Sequence, residues 1–326
     1  MRVFVTGASG FVGGGVARGL VAAGADVLAM SRGHDADAAI ALAGAEPVRS
    51  SLEHVVPADL GGAEAVVHCA AYVQPWGPPE AYWRANVEGT RHILDAARAA
   101  GVRRFVHIGA EAALFHGQPM CDVDESAPLA LNSPYPYARS KAHAERMVLQ
   151  ADDHAFSTLA LRPRLVWGPG DRTVLAAVRD MAERGAFAWV DGGRALTSTC
   201  HVENLAHGVA LALERGAEGE AYFLTDGPPV RMRDFLTAYL AAAGVDLSRA
   251  PSIPGWAARG AALALETAWR ALDLKGAPPV TRLAAAMASR ECTVSDAKAR
   301  ARLGYRPVLS REEGLANLAD REMLVR

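Results

Sequence analysis

Val3-Phe4-Val5-Thr6-Gly7-Ala8-Ser9-Gly10-Phe11-Val12-Gly13 carries a short apolar run straight into a glycine turn, and a helical pattern through Val16, Leu20 and Val21 follows at once. The order is strand, turn, helix. Gly7, Gly10 and Gly13 remove side chains where a backbone must turn sharply and where a pyrophosphate must come close. The helix then points its free N–H groups and its positive dipole end at that phosphate. The spacing is GxxGxxG rather than GxGxxG, and its place between a strand and a helix gives it weight. The stretch predicts a dinucleotide site in which Gly7, Ser9, Gly10, Phe11, Val12 and Gly13 face the pyrophosphate.

The rest of the chain bounds what such a site can serve. The 326 residues give room for one large domain or two interlocked ones, with 51% hydrophobic and 21% charged residues, an ordinary soluble composition. A net charge of −2 gives no reason to expect nucleic acid or an anionic membrane as partner. Met1 leads directly into a strand, so no secretory leader is expected. Cys69, Cys121, Cys200 and Cys292 are far apart, with no CxxC and no ligand spacing for zinc. Disulfides and metal are therefore not expected, and a reducing cytoplasm is. The longest apolar run, Trp256 to Leu274, is interrupted by Arg259, Glu266 and Arg270. It predicts an amphipathic helix packed through Leu263, Trp269 and Leu272 rather than a membrane span.

Strand-like runs at Val3–Thr6, Asp26–Ser31, Glu46–Arg49, Ala65–Cys69, Arg104–Ile108 and Ser157–Leu161 alternate with helical patterns at Gly13–Ala23, Asp37–Leu42, Asn86–Ala100 and Tyr137–Asp152. Gly101 supplies a C-cap. This alternation predicts an α/β chain with a Rossmann-type, doubly wound parallel sheet. Beyond Arg162-Pro163 the texture changes, with Gly168-Pro169-Gly170 and prolines at 228, 229, 251, 254, 278 and 279. A smaller, mainly helical C-terminal substrate-binding part is expected there. The division places residues 1–165 in the dinucleotide unit, with a returning segment near 198–225, and 166–197 with 226–326 in the substrate-binding part.

Tyr137-Ala138-Arg139-Ser140-Lys141 puts a phenol and an ammonium on one helix face, at i and i+4. A nearby ammonium favours phenolate, which would lower the Tyr137 pKa from about 10 toward working pH. Such a tyrosine exchanges a proton with a carbonyl or hydroxyl while hydride moves to or from a nicotinamide.

Together these motifs resemble the extended short-chain dehydrogenases/reductases, of the epimerase/dehydratase and 3β-hydroxysteroid dehydrogenase-like type, over nearly the whole chain. The matching segments are Thr6–Gly13, His68-Cys69-Ala70-Ala71, Asn86-Val87-Glu88-Gly89-Thr90, Tyr137 with Lys141, and Arg162 through Asp171. Later landmarks are His201-Val202-Glu203-Asn204-Leu205-Ala206 and Leu303-Gly304-Tyr305-Arg306-Pro307. The resemblance implies a bound nicotinamide dinucleotide touched by Cys69, Ala70, Ala71 and Pro163, a Tyr137 acid/base, and a Lys141 that also holds the nicotinamide ribose. It further implies a homodimer through helices near 87–100 and 137–151.

Three departures from the family pattern matter. The second strand ends Met30-Ser31-Arg32, without the acidic residue that takes a ribose 2′-hydroxyl, and Ser31 with Arg32 can hold a 2′-phosphate instead. NADP(H) is thus preferred, with NAD(H) as the alternative. Near the adenine, Ser50-Ser51-Leu52 stands where the family shows an Asp, so Ser51 and Leu52 are the contacts expected there. The third departure is Gly109-Ala110, where relatives carry Ser-Thr or Ser-Ser and use the second hydroxyl on the substrate carbonyl. Losing one such donor costs about 10²–10³ in rate. Glu111 in its acid form, Tyr135, His116 or a water can replace it; or the substrate carries its own hydrogen bond; or the chain has left redox chemistry.

Candidate substrate contacts are Val73, Glu111, Tyr135 and Arg164, with Tyr72, Trp76 and Trp83 in the same region. His107 and His201 read as structural. The expected activity is interconversion of a ketone and a secondary alcohol on a small apolar, lipid-, sterol- or polyketide-like substrate. A non-redox cyclase or isomerase, an epimerase and a cofactor-binding protein are the alternatives.

Overall fold

The computed structural model describes residues 1–216 and 219–325. Val3, Phe4 and Val5 are fully buried in strand β1 (Arg2–Thr6), as an unbroken apolar run must be when both faces of a sheet are covered. β2 (Asp26–Ser31), β3 (Glu46–Arg49), β4 (Ala65–His68), β5 (Arg104–Ile108), β6 (Ser157–Pro163) and β7 (Glu220–Leu224) complete one parallel sheet in the order β7-β6-β5-β4-β1-β2-β3. The strand order reverses between β1 and β4, which opens a crevice at their carboxyl ends. The six strands predicted from sequence form within two residues of the expected bounds; β7, supplied by the segment after residue 216, is added by the structure.

The helices that position the site are α1 (Phe11–Ala22), α2 (His34–Leu42), α3 (Gly89–Ala99), α4 (Pro136–Gln150), α5 (Val202–Arg215), α6 (Gly255–Ala271) and α7 (Arg282–Ala288). A π-helical turn, Arg84–Glu88, leads into α3, where a single regular helix was expected. Gly101 follows α3 at φ +75°. α1 lies on α5 at very short range: a Cβ on Gly15 would stand 2.2 Å from a Val202 methyl carbon, and one on Gly19 2.7 Å from the Ala206 Cβ.

Outside the large sheet, short strands at Val230–Arg231, Leu196–Thr197, Cys292–Val294 and Met120–Val123 form a second, four-stranded sheet in that order. The later part of the chain is therefore not simply helical. Met120–Val123, inside the expected dinucleotide unit, pairs with Cys292–Val294, and Ala299, Leu303 and Tyr305 pack into the core around β1. Asp226 ties these parts together, accepting from Trp167 Nε1 (2.7 Å), Thr199 Oγ1 (2.8 Å), the His201 amide (2.5 Å) and Asn204 Nδ2 (2.8 Å). Asn204 Oδ1 in turn accepts from the amides of Val308 and Leu309 at 2.8 and 3.0 Å.

α6 forms where the Trp256–Leu274 pattern placed it, but it is turned differently. Its buried residues are Gly255, Ala258, Ala262 and Glu266, packed toward Ala285 of α7, while Leu263 and Leu272 are exposed. Small residues allow closer helix contact than leucine, so the alanine face won the interface. No helix among the described residues is long and apolar enough to cross a membrane.

Candidate active site

β1 and β4 approach backbone to backbone at the switch point. Gly7 has φ +74°, and a Cβ on it would lie 2.8 Å from the Ala70 nitrogen; one on Gly13 would lie 2.3 Å from the Gly7 carbonyl oxygen. No other residue fits at either place. The Gly10 amide donates to the Gly7 carbonyl (3.0 Å), and Gly10 then starts α1 in an extended conformation with no side chain capping the helix. The Phe11, Val12 and Gly13 amides are left for a ligand, and Ser9 and Gly10 are open to solvent. This cradle fits a pyrophosphate.

A chain of hydrogen bonds behind it fixes the tautomer of a buried histidine. The Ala70 amide donates to Thr6 Oγ1 (3.1 Å), leaving Thr6 to donate to His68 Nδ1 (2.7 Å). Thr90 Oγ1 donates to the Asn86 carbonyl (2.6 Å) and so accepts from His68 Nε2 (2.9 Å). The ring is neutral with the proton on Nε2; burial, aided by the Lys141 charge, pushes its pKa down to about 3. Asn86 joins two walls of the site. Its Oδ1 accepts from the Tyr72 amide (2.6 Å), and its Nδ2 donates to Ser140 Oγ (2.9 Å), whose own proton goes to the Tyr137 carbonyl (2.8 Å).

Tyr137 and Lys141 stand one turn apart on α4. Lys141 is buried and donates from Nζ to the Ile108 carbonyl at the end of β5 (2.7 Å). Burial pulls its pKa down to about 8, against the opposing charges of Glu145, Cys69 and Glu111. The Tyr137 hydroxyl is pushed above its ordinary value by burial first, then by the negative charge of Glu111 and by Tyr82. This corrects the expectation that Lys141 lowers it: the ammonium is spent on a β5 carbonyl, and the loss of water around the phenol dominates.

A side chain at Gly109, the first of the Gly109-Ala110 pair, would meet a buried carboxylate. A Cβ on Gly109 would stand 2.9 Å from Oε2 of Glu145, a fully buried carboxylate paired with Arg162 (Nε 2.9 Å, Nη2 2.5 Å). Ala110 packs with Ala112, Ala138, Tyr135, Tyr137 and Met287. Of the groups expected to replace its donor, Glu111 is buried and accepts from Arg164 Nη1 (3.0 Å), so both expected substrate contacts are engaged with each other instead. His116 is exposed and outside the cleft, whereas Tyr135 lines it together with Tyr137.

At the far end of the crevice the structure corrects a second expectation. A carboxylate does stand at the end of β2, delivered by the first turn of α2: Ser31 Oγ donates to Asp37 Oδ1 (2.5 Å), and Arg49 donates to the same carboxylate. Its signal was an Asp in a first helical turn, not a last strand residue. Arg32 is exposed. Leu52 offers its carbonyl to His92 Nδ1 (2.8 Å) and packs against Gly89, with Ser51 half-buried beside it. Cys69, whose thiol burial pushes up to about 12, and Ala71 are half-buried after β4, and Pro163 is the buried last residue of β6.

The cleft above Tyr137 is walled by Trp76, Tyr82 and Tyr135 and bounded by Glu266, Arg270 and Arg282 of α6 and α7, three residues outside the expected site. Tyr72 packs edge-on against Tyr82 (4.8 Å), Val73 is exposed, and Trp83 turns away onto His143 (5.0 Å). His107 is a fully buried strand residue and His201 caps α5, accepting from the Glu203 amide (3.3 Å).

The family model for the 3-beta hydroxysteroid dehydrogenase/isomerase family matches residues 4–254. The chain belongs to this family. It is an NAD(P)-dependent short-chain dehydrogenase/reductase of the extended type. Two relatives align along nearly its whole span. A 4-hydroxy-2-methyl-3-oxo-4-farnesyl-3,4-dihydroquinoline-1-oxide ketoreductase from Stigmatella aurantiaca is 43% identical over 97% of this chain and 95% of its own. A 2-alkyl-3-oxoalkanoate reductase from Stenotrophomonas maltophilia is 36% identical over 98% of each. Among solved structures, UDP-glucuronic acid 4-epimerase from Bacillus cereus in complex with NAD shares the fold, with a TM-score of 0.75 at 17% identity over 100% of this chain and 99% of that one.

Proposed function

We propose that this member of the 3-beta hydroxysteroid dehydrogenase/isomerase family reduces a ketone, or oxidises the matching secondary alcohol, on a substrate with a large apolar part. The observation that carries this is Tyr137, facing an aromatic cleft from the same helix that holds Lys141 at the end of β5. The reductase names of the two relatives point the same way. Gly7, Gly10 and Gly13, with the first amides of α1, would hold the pyrophosphate of the dinucleotide, whose chemistry is hydride transfer. Tyr137 stays protonated at neutral pH in this site and acts as the acid toward the carbonyl oxygen. Tyr135, on the same wall, supplies the second hydrogen bond that Ala110 lacks. Lys141 places its positive charge beneath the reacting centre.

NADP(H) is the proposed preference, because Arg32 is exposed at the end of β2 while Asp37 is shared by Ser31 and Arg49. A homodimer through α3 and α4 is proposed with it. Consumption of NADPH and NADH is to be followed with a panel of hydrophobic ketones. Reduction is expected with NADPH favoured, the preference fading in Arg32→Ala, and Tyr137→Phe lowering kcat by about 10²–10⁴. Tight cofactor binding with no ketone reduced, or full activity in Tyr137→Phe, would overturn the proposal.

A further inference from the structure

The far end of the crevice carries a set of anion-binding donors that the chain fills with a carboxylate of its own. Ser31 and Arg49 end the neighbouring strands β2 and β3 and stand opposite each other in the parallel register, at the carboxyl edge of the sheet. Ser31 is fully buried; its hydroxyl accepts from the Gly33 amide (3.4 Å) and gives its proton to Oδ1 of Asp37 (2.5 Å). Oδ2 of the same carboxylate accepts from the Arg49 guanidinium, whose Nη1 lies along the Gly33 turn, 3.9 Å from the place of a Cβ there. The exposed ring of His34 stops 3.7 Å from Oδ2, outside hydrogen-bond range. Arg32, between Ser31 and Gly33, is exposed and donates to no acceptor among the described residues.

In a doubly wound sheet the end of the second strand faces the adenosine ribose, so the groups there meet either a 2′-hydroxyl or a 2′-phosphate. A carboxylate accepts from the hydroxyl and repels the phosphate. A guanidinium fork does the opposite, because it matches the phosphate oxygens in pairs. Both groups are present here, and each is engaged with the other. Their side chains are 28% and 51% exposed, Asp37 and Arg49 in turn, and a pair so open to water holds weakly enough for a phosphate to part it. Resting on the NADP(H) preference proposed above, we infer that Asp37 and Arg49 together set the choice of coenzyme. Arg49, delivered from β3, is the second cation on the 2′-phosphate beside Arg32, and Asp37 holds it back until that phosphate arrives. With NAD(H) the pair stays closed, and Asp37 accepts the 2′-hydroxyl. Asp37 thereby weakens NADP(H) binding and keeps NAD(H) usable.

Fragments of the coenzyme test this without turnover. Adenosine 2′,5′-bisphosphate and adenosine 5′-monophosphate are titrated separately into the protein, with calorimetry as the readout. The bisphosphate is expected to bind about tenfold or more tightly, as charge-assisted contacts provide. Arg49→Gln is expected to remove most of that difference while the monophosphate binds as before, which also reports an intact fold. Asp37→Asn, which keeps an acceptor for Ser31, is expected to tighten the bisphosphate severalfold and to leave the monophosphate no tighter. In the double variant that gain is expected to vanish, because Asp37 acts by holding Arg49 and not by its bare charge. An undiminished bisphosphate preference in Arg49→Gln overturns the inference and leaves the coenzyme preference to Arg32. A gain of equal size from Asp37→Asn when Arg49 is absent overturns it as well. Equal binding of the two probes by the unaltered protein counts against the NADP(H) preference itself, and Asp37→Asn then decides the role of the pair. A bisphosphate preference that appears in that variant and needs Arg49 upholds the inference; its failure to appear overturns it.

Discussion

Ala110 carries no hydroxyl where the proposed reduction calls for a second donor, and the surrounding residues narrow what can take that role. Glu111 is committed to Arg164 and His116 lies outside the cleft, so Tyr135 is the side chain left to hold a carbonyl oxygen beside Tyr137. Tyr135→Phe is therefore expected to lower kcat by about 10²-fold, the cost of one lost donor to a developing oxyanion. Ala110→Ser is expected to bring no gain, and a rate increase in that variant would show that the donor was in fact missing. Lys141 gives a prediction with a definite sign. Unfolded, it holds its proton to near pH 10.5; folded, burial makes it release the proton near 8. The unfolded chain binds more protons between those values, so stability rises with pH across that window, by on the order of 3 kcal/mol in all. Urea denaturation at pH 7.5, 8.5 and 9.5 (roughly the span of the window) checks this, because Lys141→Met is expected to lack the rise. The sequence showed the Tyr137–Lys141 pair plainly, since four residues along a helix define a shared face. It did not show which effect sets the tyrosine's proton affinity, because burial and the placement of Glu111 depend on neighbours distant in the chain.

Among the elements, the glycine stretch works twice. Gly7, Gly10 and Gly13 shape the phosphate turn, while Gly15 and Gly19, one helical turn apart further along α1, let α5 come into contact. The second role has a sequence signal, a small residue repeated at i and i+4, which the first role obscured. Gly15→Leu must push α5 away from α1, and overpacking of this kind costs typically about 1–3 kcal/mol. Thermal unfolding is expected to show that loss, with cofactor affinity changed less than in Gly13→Ala, where the added Cβ meets the Gly7 carbonyl itself. α6 teaches the reverse lesson. Its leucines suggested the buried face, yet Ala258 and Ala262 are the residues that pack, because the partner α7 offers Ala285 at close range. Hydrophobicity counts alone do not rank a leucine face against an alanine face; the shape of the partner does.

Across the whole molecule, Asp226 joins segments that a linear division of the chain keeps apart. Four donors from Trp167, Thr199, His201 and Asn204 converge on its two oxygens, and Asn204 passes the connection to Val308 and Leu309. Asp226→Ala leaves several buried donors unpaired, at about 1–3 kcal/mol each. Its free energy of unfolding in urea is expected to fall by at least 3 kcal/mol (roughly two such groups); an unchanged midpoint would show that water replaces the carboxylate. The segment around Tyr305, whose hydroxyl donates to the Thr225 carbonyl beside Asp226 (2.9 Å), crosses the expected boundary between the two parts, and Met120–Val123 crosses it by pairing with Cys292–Val294. Contacts far apart in sequence leave no periodicity to read.

The sequence by itself determined the parallel sheet, the phosphate turn and the catalytic-type helix, since each follows from local spacing: apolar runs bounded by glycine, three glycines at fixed intervals, a phenol and an ammonium one turn apart. Only the tertiary structure decided where the charges stand and what they meet. Asp37 reaches the end of β2 from a helix, Arg164 turns inward to Glu111, and Arg282 arrives at Tyr135 from well over a hundred residues away (roughly an ordinary domain length in chain). Charges act through space and through the burial around them, and neither is fixed until the chain has closed on itself.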